Sequence, residues 1–263
     1  MLDSRPDRVS ATEQRYESER QFHDRRFADD RRAANRFYSI IGAADDHYGS
    51  RLDAAPPGAT FLDCGCGSGA YAAIRLAEQG RRVSAIDLSS VAIEEARTKA
   101  RRRALEDRIE FRVMNAEALE FPDHSFTVVC GSGVLHHLDL RRAYAEIARV
   151  LKPSGHGIFL EPMGHNALIN LYRRLTPEQR TPDERPLLAS DFELARQFFD
   201  RVETTHFALA SLLALPVAHT RTGRQLLSWL DALDQRIFRR VPAARRFGWL
   251  VVLDLAEPRN EVP

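Results

Sequence analysis

Between residues 59 and 161 short apolar runs alternate with amphipathic stretches. Runs rich in Val, Ile or Phe at 59–64, 82–87, 109–114, 126–131 and 157–161 predict buried parallel strands. The segments between them, 70–79, 90–104 and 140–150, repeat apolar residues at helical spacing, and Ser89 or Ser90 supplies an N-cap for the second. Such repetition predicts right-handed crossovers and helices on the faces of a parallel sheet. Upstream, residues 10–54 are rich in Arg, Asp, Glu and Ala, with Phe22, Phe27, Phe37, Tyr38, Ile40 and Ile41 at loosely helical intervals, so helices are expected before Pro56, Pro57 and Gly58. Downstream, Pro162, Gly164, Pro177, Pro182 and Pro186 break up a polar, Arg-rich stretch. A helix then resumes over 191–199, followed by a strand at 202–209, a helical region at 210–247 and a last strand at 249–255. The expected division is an N-terminal helical lid over 1–55, an α/β core over 56–162, and 163–263 with an insertion, a helical cap and the final sheet strands.

Composition narrows this picture. The 263 residues are 44% hydrophobic and 29% charged, which excludes wholesale disorder. Lys and Arg number 38 against 37 Asp and Glu, and a formal charge of +1 argues against a protein that holds nucleic acid through its phosphates. The run Arg101, Arg102 and Arg103 sits at a helix end, where cations complement the dipole. Only Cys64, Cys66 and Cys130 occur, without CxxC spacing, so neither a disulfide framework nor a zinc site is expected and a cytoplasmic location fits. Residues 1–7 are charged and no run of about 18 apolar residues occurs, so no secretion signal or membrane span is expected. The apolar helical region of 209–215 and 226–238 is interrupted on a helical wheel by Arg221, Arg224, Asp231, Asp234 and Arg236, so no membrane partner is expected either.

The segment 61–69 reads FLDCGCGSG, an apolar strand entering alternating glycines ahead of a helix. Glycine tolerates positive φ and carries no Cβ, so such a loop passes close beneath a ligand and offers its N–H groups near a helix N-terminus. Asp87 ends the next strand about 20 residues later, where open α/β sheets place the acceptor for ribose hydroxyls. Together they define a nucleoside site. Dinucleotide-binding folds share this logic, but the spacing here is DxGxGxG and not GxGxxG.

At these residues the sequence resembles the class I S-adenosylmethionine-dependent methyltransferase family, of the type 11 kind. The likeness continues through Asp87, Leu88 and Ser89, through Asn115 to Leu119, through the LHHL of residues 135–138, and through the RVLKPSG turn of residues 149–155 before the next strand. It is close over about 58–162. The resemblance implies a Rossmann-like, doubly wound, mostly parallel seven-stranded sheet, with S-adenosylmethionine as cofactor and a small-molecule acceptor. Gly65, Cys66 and Gly67 would contact the methionine part through backbone, with Asp63 organising the loop. Asp87 would bind the ribose, Leu88 would pack on the adenine, Asn115 and Ala116 would meet the adenine edge, and the backbone at Gly131 would face the amino group. Asn115 replaces the family's usual Asp, though an amide oxygen still accepts the same bond, and Thr127 stands where Asp is common.

Transfer from a sulfonium needs mainly an aligned acceptor and, where required, a base. Candidate bases are His136 and His137 after the fourth strand, Glu161 after the fifth, His165, and His23. Tyr16, Phe22 and Phe27 either close over the cofactor or fill a core. Residues 161–174 leave a strand end above the expected methyl position, where they would shape the acceptor pocket. Methylation at O, N or C in bacterial secondary metabolism is the leading expectation. Cyclisation, aminocarboxypropyl transfer or pericyclic chemistry with the same cofactor, and a non-catalytic cofactor-binding module, remain open at this point. Oligomeric state is not read from the sequence.

Overall fold

The computed structural model describes residues 15–17, 20, 24, 39–176 and 184–259. Its centre is a sheet of seven strands: β1 Thr60–Cys64, β2 Arg82–Asp87, β3 Ile109–Val113, β4 Phe126–Ser132, β5 Leu151–Pro162, β6 Phe199–Phe207 and β7 Leu250–Pro258. They lie in the order β3-β2-β1-β4-β5-β7-β6. The first five are parallel, while β7 runs antiparallel between β5 and β6. The chain order therefore reverses between β1 and β4, and open sheets of this kind bind ligands at such a switch, beyond the carboxyl ends of the strands.

Helices cover both faces. On one lie α1 Gly42–Asp53, α2 Tyr71–Glu78 and α3 Ser90–Arg101, whose Tyr48, Leu76 and Ile93 pack against Phe61, Val83 and Ile158. On the other lie α4 Leu140–Val150 and α6 Ala189–Ala195, whose Tyr144, Ile147 and Phe192 pack against Leu62, Val129 and Phe159. Neighbouring residues Phe61 and Leu62, or Ile158 and Phe159, enter opposite cores because strand side chains alternate. Ser89 accepts from the Ala92 N–H and Asp139 from those of Arg141 and Arg142, caps worth about 1 kcal/mol each. Helix α1, placed by sequence in the N-terminal segment, packs on the sheet and is tied to β7 by Arg51 bonded to Asp254.

The expected strands are present, with two differences around β5 and α6. The PSG stretch, read as a turn, belongs to β5, and the β4–β5 pairing shifts register between Phe126 and Val128 to admit it. Gly155 is required there, since a Cβ would lie 3.0 Å from the carbonyl oxygens of both Lys152 and Thr127. Helix α6 ends at Ala195, short of the expected 199, because Phe199 already pairs with β7 opposite Pro258. The Arg-rich stretch after Pro162 contains a helix, α5 Ala167–Leu175, started by Asn166 accepting from the Ile169 N–H at 3.1 Å and lying free of the flanking prolines. The long helical region contains one extended helix, α7 Arg221–Arg240.

Candidate active site

The glycine loop leaves β1 at the switch point. Gly65 and Gly67 have φ of +65° and +57°, and Ala70 adopts the left-handed conformation just before α2. A Cβ at Gly65 would stand 2.5 Å from Val134 Cγ2, so the loop and the chain after β4 share space that only glycine leaves. Cys66 donates its N–H to the Ile86 carbonyl at 2.9 Å and Ala70 donates to the Cys66 carbonyl at 3.0 Å.

Asp63 turns away from this cleft into the core, where Oδ2 accepts from the Ala73 N–H at 3.1 Å. Burial pushes its carboxyl up to about 7, against the opposing Ala73 bond and with the negative Asp87 adding to the rise. Asp63 thus anchors the start of α2.

Asp87 crosses from the end of β2 to the loop. Its Oδ2 accepts the Gly67 N–H at 2.8 Å and its Oδ1 accepts the Ser89 N–H at 2.9 Å. Leu88 beside it is half-buried. At the next strand end, Asn115 Oδ1 accepts the Glu117 N–H at 2.9 Å, closing a turn that presents Ala116. Acceptors therefore stand at the ends of β2 and β3 in succession, a donor and acceptor set that fits the hydroxyls and amino group of an adenosine.

Sequence placed Glu117 within the Asn115–Leu119 likeness but gave it no role of its own. Its buried carboxylate receives Arg15 Nη2 at 2.6 and 2.7 Å, the Tyr16 hydroxyl at 2.8 Å and the Asp139 N–H at 2.9 Å. Ser89 Oγ likewise meets Asp24. Tyr16, a sequence candidate, thus reaches the turn after β3 through Glu117, whereas Phe22, His23 and Phe27 lie outside the described residues. A lone acid in the apolar-edged NAEAL run is the signal for Glu117, but its side-chain partners Arg15 and Tyr16 are about 100 residues away and periodicity cannot find them.

Beyond β4, Gly131 is wedged so closely that a Cβ would lie 2.8 Å from the Cys64 carbonyl and 2.7 Å from Val134 Cγ1. The following 3-10 turn, Leu135–His137, carries the two histidines, with ring centroids 4.2 Å apart. Glu161, fully buried at the end of β5, holds this turn: Oε1 accepts the Val134 and Leu135 N–H groups at 2.9 and 2.8 Å, and Oε2 lies 2.7 Å from His136 Nδ1. His136 Nε2 points toward Glu184 Oε1 at 4.0 Å, and Glu184 is also bound by Arg173 at 2.9 Å. Among the described residues His136, His137 and Glu184 bring potential metal ligands within 4.8 Å of one another. His165 stands apart from this group, with Nε2 3.4 Å from the Ala189 N–H.

Residues 62–159 match the family model described as a methyltransferase domain. The chain carries a class I methyltransferase core. It is 38% identical over 100 residues to 27-O-demethylrifamycin SV methyltransferase of Amycolatopsis mediterranei, covering 37% of this chain and 36% of that protein. It is 36% identical over 105 residues to 2-methyl-6-phytyl-1,4-hydroquinone methyltransferase of Synechocystis, covering 40% and 32%. The match therefore spans about a third of the length of these relatives. In fold the chain is similar to geranyl diphosphate C-methyltransferase of Streptomyces coelicolor, solved with S-adenosyl-L-homocysteine, at a TM-score of 0.56 and 17% identity over 82% of this chain and 75% of that one. The cofactor of this family is S-adenosylmethionine.

Proposed function

We propose that the chain is an S-adenosylmethionine-dependent methyltransferase acting on a small-molecule acceptor at oxygen, nitrogen or carbon. The observation that carries this reading is the bond from the Gly67 N–H to Asp87, which joins the glycine loop to the ribose acceptor at the topological switch. Asp87 would accept from the ribose hydroxyls, Leu88 and Ala116 would pack on the base, and Asn115 would meet its edge. Gly65, Cys66 and Gly67 would line the methionine part, facing the backbone at Gly131. Bound there, S-adenosylmethionine supplies an electrophilic methyl group.

His136 is the base in this reading and Glu161 its positioning residue. With Nδ1–H donated to Glu161 Oε2, Nε2 carries the lone pair that takes the acceptor's proton. The imidazolium so formed is flanked by the carboxylates of Glu161 and Glu184. His137 packs on the same ring. Arg15 and Tyr16 would close the adenine side of the pocket through Glu117. The rifamycin relative supports an acceptor from bacterial secondary metabolism.

Product analysis tests the reading. Incubation with methyl-labelled cofactor and a panel of phenolic, macrolide and quinol acceptors should yield S-adenosylhomocysteine and a labelled acceptor in equal amounts. Methylthioadenosine, or a rearranged acceptor with the cofactor unchanged, would point to the other chemistries of this fold.

A further inference from the structure

Among the described residues eleven large hydrophobic side chains stand exposed, and nine of them fall between residues 168 and 247. They follow helical spacing. Leu168, Leu171 and Leu175 run along α5, Leu226 and Trp229 along α7, and Leu213 and Val217 lie on the connecting segment. Beneath them Ile169, Leu212 and Ala218 pack with Leu227 in one small cluster, so the strips border the same part of the cap.

The polar side chains here are strongly one-signed. Residues 164–176 and 208–249 contain nine arginines and no lysine against two acids, Asp231 and Asp234, and with Arg173 set aside as the partner of Glu184 eight arginines remain, in a chain whose formal net charge is only +1. By sequence those acids break the apolar face of the helix. In the fold they do not, because Asp234 is buried, accepting N–H groups from Leu209, Ala210 and Ser211, and Asp231 is half-buried beside it. What α7 presents outward is Leu226 and Trp229 among Arg221, Arg224, Arg236 and Arg240.

We propose that this face of the cap docks on an anionic lipid surface. Leucines and a 60% exposed tryptophan suit the boundary between headgroups and acyl chains, and the surrounding guanidinium groups suit lipid phosphates and carboxylates. A second copy of the chain suits it less, since a two-fold contact would set the same arginines against one another. No described helix is long and apolar enough to cross a membrane, so the contact is peripheral. Of the five charges behind the sequence expectation of no membrane partner, Asp231 and Asp234 turn inward and Arg221, Arg224 and Arg236 stay outside. Helix α5 begins five residues after Pro162, so the docking face adjoins the end of β5 where Glu161 holds the histidine turn. The inference stands independently of methyl transfer, because its readout is binding.

Flotation of the full chain with phosphatidylcholine vesicles, with and without about a third phosphatidylserine, is the test. Binding to the anionic vesicles alone is expected, weakened by raised salt and accompanied by a blue shift of Trp229 emission, read against a Trp249→Phe background. Each arginine contributes about fivefold at such a surface, so Arg236→Glu with Arg240→Glu should reduce binding by more than about tenfold. Trp229→Ser with Leu213→Ser should weaken flotation with the anionic vesicles at least about tenfold, and both pairs change exposed positions, so native circular dichroism is expected. Absence of binding to anionic vesicles, binding unaltered in both variants, or a dimer in solution that the Trp229→Ser pair dissociates, would each overturn the proposal.

Discussion

Glu161 Oε2 lies 2.7 Å from His136 Nδ1, while the other oxygen of the same carboxylate takes the N–H groups of Val134 and Leu135. One buried side chain thereby fixes both the turn after β4 and the tautomer of the histidine it carries. Glu161→Gln keeps an oxygen for the two backbone donors but offers His136 an N–H in place of an acceptor. The ring must then protonate at Nε2, removing the lone pair that serves as base. Turnover should fall about 10–100-fold with little change in KM, and the acidic limb of the pH–rate profile should move. An unchanged profile would separate Glu161 from the chemistry and leave it as a loop anchor.

Glu117 gathers Arg15, Tyr16 and the Asp139 N–H. Charged hydrogen bonds of this kind contribute about 1.5–3 kcal/mol each, so Glu117→Gln should loosen the hold on Arg15. Trypsin cleavage after Arg15 should become at least about tenfold faster, and added S-adenosylhomocysteine should slow it in the parent protein. Equal cleavage rates in parent and variant would show that this contact does not retain the segment.

Gly131 and Gly42 make a paired test of close packing. A Cβ at Gly131 meets the Cys64 carbonyl at 2.8 Å, whereas at Gly42 it meets nothing within 4 Å. Gly131→Ala should cost about 1–3 kcal/mol in urea denaturation. Gly42→Ala, at the first residue of α1, should be neutral or slightly stabilising. Equal effects would mean that β1 and β4 are not held as closely as described.

The sheet was legible because its strands are short apolar runs between turn residues, and buried parallel strands leave that imprint wherever they occur. The meeting of the glycine loop with Asp87 was legible for a related reason, since both lie at the ends of adjacent parallel strands and their pattern is local. Three features were not. The helix Ala167–Leu175 was hidden by flanking prolines that lie outside it. The role of Glu117 depends on partners far away in the chain. The outward character of α7 depends on which way Asp234 faces, and its three backbone donors belong to the preceding turn.

Asp63 makes stability depend on pH. Its carboxyl is pushed up to about 7 from an ordinary 3.8, chiefly by burial. Between those values the folded chain holds the proton more tightly than the unfolded chain, so this residue's contribution falls as pH rises through the window. Asp63→Asn keeps an oxygen for the Ala73 N–H and carries no proton. Relative to the parent, the variant should gain on the order of 2–4 kcal/mol between about pH 4 and pH 7 in denaturant unfolding. Parallel curves would place the titration of Asp63 in its usual range.

The central claim is that the Asp87 and glycine-loop pair binds an S-adenosyl nucleoside. Calorimetric titration of the full chain with S-adenosylhomocysteine tests it most directly. One site is expected, with affinity at least about tenfold weaker in Asp87→Ala while the far-ultraviolet circular dichroism stays native. No saturable heat, saturation by a nicotinamide dinucleotide in its place, or equal affinity in a folded Asp87→Ala variant would contradict the account.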